Sequence, residues 1–426
     1  MAKANKRVVT RENGQTTTSW QVRYFDRNGK RRSKQFGRKR DAEAFAATIA
    51  SEVQSGRHVH DRDTITVREA ALRWLEACGR GRNGRDPCEP HTIRNYTGFV
   101  THHIEPFLGS LKLNQLTPMR VKDFRDRDLL DSGRSRWMVK KCLGALSAIC
   151  REAVADELLG VKPCNGIALI TAGRHKETVT IPTKLQVQQL LQRARRWVDD
   201  PPRAMARRRG VLTPVQARLQ PARALWWYTM LRFIVATGMR LSEIRGAARI
   251  DLDLPGGLYH VRQRADEKGR IGPLKSAAGY RDLELSDAMV TELAAWLKDA
   301  PESGLIFSNG VGEPESASNI YRRFWLPLLV ECGAATQAPS AAGGIRHEVQ
   351  FTVHDLRHFH ASLMIDQGMQ PRQLMEHMGH SSINVTMDVY GHLFKDEDAR
   401  ARRRSLVVDA EKILLPGPPP ATDGSA

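Results

Sequence analysis

Residues 354–358 read His-Asp-Leu-Arg-His, and residues 378–391 read Met-Gly-His-Ser-Ser-Ile-Asn-Val-Thr-Met-Asp-Val-Tyr-Gly. In the first stretch the i, i+3 spacing puts His354 and Arg357 on one face of a helix. In the second, Tyr390 follows the Gly-His pair by ten residues. Upstream, Trp226 to Ala236 is an apolar run that reads as a helix, and Gly238 suits the left-handed position that stops it. Arg240 comes next, in Ala236-Thr-Gly-Met-Arg-Leu-Ser-Glu243, and is expected on a sharp turn between two helices. A strand, Leu258 to Arg262, then leads to Pro273-Leu-Lys275-Ser-Ala-Ala-Gly279 and the alternating strand Tyr280 to Leu285. Lys275 therefore falls on a turn between strands.

Outward from this region the chain changes character twice. From Thr66 to about Ala153 the apolar spacing is purely helical: Thr66-x-x-Glu69 is a capping box, Thr92 opens a second helix, and Thr117-Pro118 starts a third. The longest helix runs from about Ser135, with Cys142, Leu146 and Cys150 inward and Lys140 and Lys141 outward. Nearer the N-terminus, Trp20, Val22 and Tyr24 alternate with polar residues, Asn28-Gly29 offers a tight turn, and a basic return strand reaches Phe36. Ala42 to Val53 then has the spacing of a helix that covers one sheet face, with Gly56 ending it. Two stretches rich in Pro, Arg, Ala or Gly, Asp199 to Pro221 and Ala334 to Gly344, are expected to loop out.

Composition narrows the partner. The chain has 426 residues, 66 Lys and Arg against 47 acids, a net charge of +19 and a pI near 10.0. At this length the expectation is several domains. A surplus of this size, spread over every part of a chain with no bilayer-length apolar run, points to a polyanion and excludes a membrane partner. Arg23, Arg31, Arg32 and Lys34 on the small sheet, with Lys140 and Lys141 on the long helix, are the candidate DNA contacts. The first residues, Met1 to Arg11, are polar and basic, so the expected location is cytoplasmic. The six cysteines contain no C-x-x-C and read as reduced core thiols.

The ordered set Arg240, Lys275, His354-x-x-Arg357, Gly379-His380 and Tyr390 resembles the tyrosine recombinase, or phage integrase, family. The likeness extends to the basic sheet segment and the helical segment, which look like that family's arm-binding and core-binding domains. It implies a multidomain, mainly α fold. An arm-type DNA-binding domain of sheet plus helix is expected over 1–62, and an all-α core-binding domain over 63–170. A linker over 171–182 leads to a mostly α catalytic domain with a small antiparallel sheet over 183–415, and a disordered tail covers 416–426.

The resemblance also implies roles. Tyr390 attacks the scissile phosphate to form a 3′-phosphotyrosyl link. Arg240 and Arg357 clamp the phosphoryl oxygens, Lys275 protonates the leaving 5′ oxygen, His354 assists deprotonation of Tyr390, and His380 donates to the phosphate. Glu243 orients the others. The implied partners are double-stranded DNA at attachment sites, a homo-tetramer on synapsed DNA, and DNA-bending or excision factors; no cofactor is implied. A C-terminal helix over Asp396 to Leu414 would dock on a neighbouring protomer or on its own domain.

The same residues admit rival readings. The density of His354, His358, His360, His377 and His380 suggests a metal site, but H-E-x-x-H is absent and two nearby arginines would repel a cation. His358 and His360 read as packing or supporting groups. Lys268 is the rival of Lys275, and Tyr321 the rival of Tyr390. At the level of function the alternatives are a type IB topoisomerase-like enzyme and a non-catalytic integrase-like regulator.

Overall fold

The computed structural model describes residues 3–10, 16–25, 29–54, 64–169 except 83, 179–339 except 202, 209, 210, 219, 220 and 301, residues 345–394, and the single positions 404 and 407. Asn28, Gly56, most of the expected linker, the expected C-terminal helix apart from 404 and 407, and the tail lie outside them. The chain divides into two compact units, Met1–Arg174 and His175–Ala426.

The first unit has two separate cores. At its start, β1 (Lys3–Thr10), β2 (Thr16–Phe25) and β3 (Arg31–Phe36) form an antiparallel sheet in the order β1-β2-β3, packed against α1 (Lys39–Gln54). Alternation along β2 turns Val22 and Tyr24 inward, where Ala42, Ala46 and Ile49 of α1 cover them. The second core is helical: α2 (Val67–Arg80), α3 (Pro90–Phe99), α4 (Glu105–Leu108), α5 (Pro118–Asp123) and α6 (Arg136–Ala155). Side-chain caps from Thr66, Thr117 and Ser135 start α2, α5 and α6. Thr92 does not start α3. The helix begins at Pro90, because the fixed φ of proline suits the first helical turn and its missing N–H is not needed there. Between α3 and α4 the chain widens to a π-helical turn, Val100–Ile104, just before Pro106, which cannot donate to the ordinary ladder. Cys142 and Cys150 are buried on α6 with Leu143, Leu146 and Ile149.

The second unit is built around α8 (Pro221–Thr237), which is apolar around most of its circumference and accordingly surrounded. It packs on α7 (Lys184–Asp199), which precedes it, and on two later helices, α10 (Asp287–Asp299) and α13 (Val353–Asp366). The expected loop at 199–221 is in fact a hairpin, β4 (Arg203–Arg208) with β5 (Val211–Arg218). Val211, Thr213 and Val215 alternate within the Arg-rich stretch, and that β-branched alternation outweighs the Pro and Gly content. Part of the second expected loop is likewise a strand, β11 (Ala335–Pro339), paired antiparallel with β12 (Ile345–Val349) just beyond that stretch. After the short α9 (Leu241–Arg245), β6 (Leu252–Asp253), β7 (Leu258–Val261) and β10 (Arg281–Glu284) make a sheet of order β10-β7-β6. A two-stranded ribbon, β8 (Arg264–Ala265) with β9 (Ile271–Gly272), rises between β7 and β10. Two short helices, α11 (Ala317–Asn319) and α12 (Leu326–Glu331), precede β11, and after α13 the chain closes through α14 (Pro371–Met378) and α15 (Ile383–Tyr390). The whole is mainly α with small antiparallel sheets, and no helix among the described residues is long and apolar enough to cross a membrane.

Candidate active site

Two left-handed glycines set the geometry. Gly238, at φ +61°, ends α8 and turns the chain so that Arg240 caps α9. Gly379, at φ +64°, ends α14 and sends His380 back under that helix, where its N–H donates to the Met375 carbonyl. The carbonyls freed at these helix ends face the arginines. Arg357 donates through Nη1 to Gly238 O at 2.7 Å and through Nη2 to Met378 O. Arg240 donates to Gly379 O at 2.9 Å and to Glu243 Oε1 at 2.7 Å.

Glu243 is 2 % exposed and also accepts from Arg281 at 2.8 Å. Burial alone would raise its carboxyl, but Arg281 and then Arg240 overcome that and hold it below the usual carboxylate range. Its carboxylate is therefore paired with two arginines. Arg281 itself donates to His377 O and Gly279 O, tying β10 to α14. Sequence reasoning missed Arg281. It stands two residues after Gly279 on a strand whose alternation was visible, but its partner is 38 positions away.

Tyr390, the last residue of α15, is 1 % exposed and packs on Ala361, Ile365, Leu374 and Met378. Its hydroxyl meets His358 Nδ1 at 2.6 Å, and its ring lies nearly parallel to that of His380, with 6.4 Å between centroids. Burial pushes the phenol up to about 12, with Arg357 pulling the other way. Burial and His354 press His358 down to about 4, so the bond runs from a neutral phenol to a neutral imidazole. His380 is held at about 4 by burial, then by Arg357 and Arg240, and its Nδ1 pairs with the Thr386 hydroxyl at 2.9 Å. Arg357, 3 % exposed, is lowered to about 9 by burial and Arg240 and remains charged at neutral pH.

His354 lies one turn before His358 on α13, with ring centroids 5.0 Å apart; it keeps an exposed face, while the surrounding protein and then Arg357 lower it. Arg240, Arg357, His380, Glu243 and Tyr390 thus converge, with His354 at the edge. Lys275 does not join them. It is exposed on the segment between β9 and β10, and no hydrogen bond or ion pair ties it to the described residues. Lys268 sits at the tip of the β8–β9 ribbon, and Tyr321 is partly exposed on the π-helical segment before α12. His358, expected as a packing or supporting group, is the residue bonded to Tyr390. Among the described residues no group of three or more His, Cys, Asp or Glu could hold a metal ion.

The candidate DNA contacts lie in the first unit. Arg23 is exposed on β2 and bonded to Gln21, and Lys34 on β3 lies over the Phe45 ring at 4.9 Å. Arg31 and Arg32 share that strand. Lys140 and Lys141 are exposed on α6, with Lys141 over the ring of Trp137 at 5.4 Å.

A tyrosine, two arginines and two histidines are thus gathered at the ends of α8, α14 and α15 and along α13. Residues 214–397 match the phage integrase family, and residues 82–127 match the phage integrase N-terminal SAM-like domain, together more than half of the chain. The putative prophage phiRv2 integrase of Mycobacterium tuberculosis is 26 % identical over 89 % of this chain and 90 % of its own length. The ICEBs1 integrase of Bacillus subtilis is 22 % identical over 72 % and 76 %. Among solved structures, the Tn1549 transposon integrase in complex with circular intermediate DNA aligns with a TM-score of 0.59 at 18 % identity, over 80 % of this chain and 100 % of that one. A lambda integrase dimer bound to a core site aligns at 0.51 and 18 %, over 92 % and 95 %. The chain belongs to the phage integrase family of tyrosine recombinases, enzymes of site-specific DNA recombination.

Proposed function

We propose that this chain integrates or excises a mobile element by cutting and rejoining double-stranded DNA through a covalent link to Tyr390. The observation that carries the reading is the convergence of Arg240, Arg357, His380 and Tyr390, drawn from segments up to 150 positions apart, with an imidazole already bonded to the phenol. The Tyr390 oxygen attacks the scissile phosphorus and the P–O5′ bond breaks. The phenol proton passes to His358, 2.6 Å away, with His354 beside it. Arg240 and Arg357 meet the two nonbridging oxygens, and the free edge of His380 adds a donor. Lys275, exposed on its segment, swings in to give the 5′ oxygen its proton. Attack by a 5′ hydroxyl of another strand reverses each step and releases Tyr390.

Recombination joins two duplexes, so we assign a tetramer on synapsed DNA, helped by DNA-bending or excision factors, in the cytoplasm. The lambda integrase tetramer bound to a Holliday junction, aligned here with a TM-score of 0.50, supports that stoichiometry. The sheet residues Arg23, Arg31, Arg32 and Lys34 serve an accessory arm site over 1–62, and Lys140 and Lys141 serve the core site over 63–170. The test is transfer of labelled DNA to protein from a nicked duplex that spans the junction beside this gene. Wild type should give a band that survives denaturation and Tyr390→Phe none, with unchanged affinity. A covalent band in Tyr390→Phe, mapped to another residue such as Tyr321, would refute the nucleophile. Supercoil relaxation without strand exchange would instead mark a topoisomerase.

A further inference from the structure

Two histidines on α13 and α14 have no task in the steps above. His360, 2 % exposed on α13, and His377 on α14 meet Nε2 to Nε2 at 2.9 Å, with rings 16° from parallel and centroids 5.1 Å apart. The outer partner fixes the tautomers. The Val235 carbonyl, 3.0 Å from His360 Nδ1, can only accept, so Nδ1 carries the proton. A neutral His360 then presents a bare Nε2, and His377 Nε2 must be the donor. Burial, then His377, holds His360 at about 3, and burial lowers His377 as well, so both rings are neutral near pH 7.

This bridge lies where the arginines are anchored. The His360 ring packs on Gly238 so closely that a Cβ there would fall 2.5 Å from its Cδ2. Gly238 O receives Arg357. On the other side, the carbonyl of His377 itself receives Arg281, and those of Met378 and Gly379 receive Arg357 and Arg240. One chain of hydrogen bonds, Val235 to His360 to His377, therefore ties the last turn of α8 through α13 to the last turn of α14. Those two ends supply the backbone acceptors of both guanidiniums that face the phosphate. A pair of apolar side chains would fill this space without the desolvation that two imidazoles entail, so the volume alone does not call for them.

We propose that His360 and His377 are positioning residues, whose mutual hydrogen bond fixes the spacing of the Gly238 and Met378–Gly379 carbonyls and so aims Arg240 and Arg357 at the scissile phosphate. The role rests on the recombinase reading; the bridge itself does not.

The experiment uses the full-length protein and separates the two. With 15N-histidine labelling, His360 and His377 should appear as two neutral rings of opposite tautomer, Nδ1–H and Nε2–H, at pH 7. A charged ring, or the same tautomer at both, overturns the bridge whatever the protein does to DNA. Single-turnover cleavage of the junction duplex is then compared for His377→Leu, which removes the donor, and His377→Gln, which retains one. His377→Leu should lose about tenfold or more and His377→Gln no more than about threefold, with duplex affinity within about twofold of wild type. The loss in His377→Leu should shrink on a duplex with an uncharged methylphosphonate at the scissile position, because a misaimed guanidinium matters most against charge. Equal losses in the two variants, or the same loss on both duplexes, would assign the pair to packing and overturn the proposal. If His377→Leu does not fold, His360→Phe, which keeps a ring and removes the acceptor, takes its place. An inactive wild type would sink the recombinase reading while the spectrum still judges the bridge.

Discussion

Arg240 and Arg357 each spend part of their fork on backbone carbonyls, at 2.9 Å and 2.7 Å, and on the proposed function lysine should not replace them. An ammonium keeps the charge but cannot grip a carbonyl and a phosphate oxygen in one plane. Arg240→Lys and Arg357→Lys should each slow cleavage by about a hundredfold or more, by analogy with loss of one transition-state donor, while binding persists. Single-turnover cleavage beside filter binding reads both; equal loss of binding and rate would refute the assignment. The histidines carry a second prediction. His358 and His380 are depressed to about 4 and His360 to about 3, from an ordinary 6.5. Between those values the unfolded chain binds protons that the folded chain refuses, so stability falls as pH drops from 6.5 toward 4 and is insensitive to these groups above it. A thermal midpoint that held steady or rose from pH 7 to 5 would contradict the burial of the three rings. At this scale the sequence was most readable for residue types and least for pairings. The Arg, His and Tyr positions stand in order along the chain. The bond between His358 and Tyr390 spans 32 positions and depends on how α15 folds back over α13, which no local spacing encodes.

Helix ends, more than helices, make the site. Gly238 was readable as a stop because only glycine takes a left-handed turn without strain, and the caps at Thr66 and Thr117 were readable because their donors lie three residues on, whereas Gly379 was legible only as half of the Gly-His pair. The hairpins at 203–218 and 335–349 were not, since strand pairing is settled by a partner strand and the Pro, Arg and Gly content pointed elsewhere. Gly238→Ala tests the element. It adds about 1–2 kcal/mol of left-handed strain, and its Cβ would collide with the buried His360 ring, worth about 1–3 kcal/mol more. Gly29→Ala, at φ +72° with nothing near its Cβ among the described residues, should show only the strain. Calorimetry should therefore find a clearly larger loss for Gly238→Ala, and a loss of cleavage with it. Equal losses would mean that the His360 contact does not matter.

For the whole molecule, the decisive quantity is charge. A surplus of +19 on a 47.8 kDa chain has no structural use in the two apolar cores of its first unit or in the core around α8, and it acts outward on phosphates. Each neutralised phosphate contributes about −0.9 to the slope of log affinity against log salt. The full chain should thus bind duplex DNA with a steep negative slope. A chain starting at residue 63 loses Arg23, Arg31, Arg32 and Lys34 together with the small core that holds their strands. Its slope should become shallower, and an accessory site should lose protection, yet cleavage at the core site should survive, because every residue bonded around Tyr390 lies beyond position 234. Footprinting and cleavage on one junction duplex, at two salt concentrations, measure all three. An unchanged slope would place the sheet away from DNA, and loss of cleavage in a folded truncation would make the first 62 residues part of the catalytic assembly.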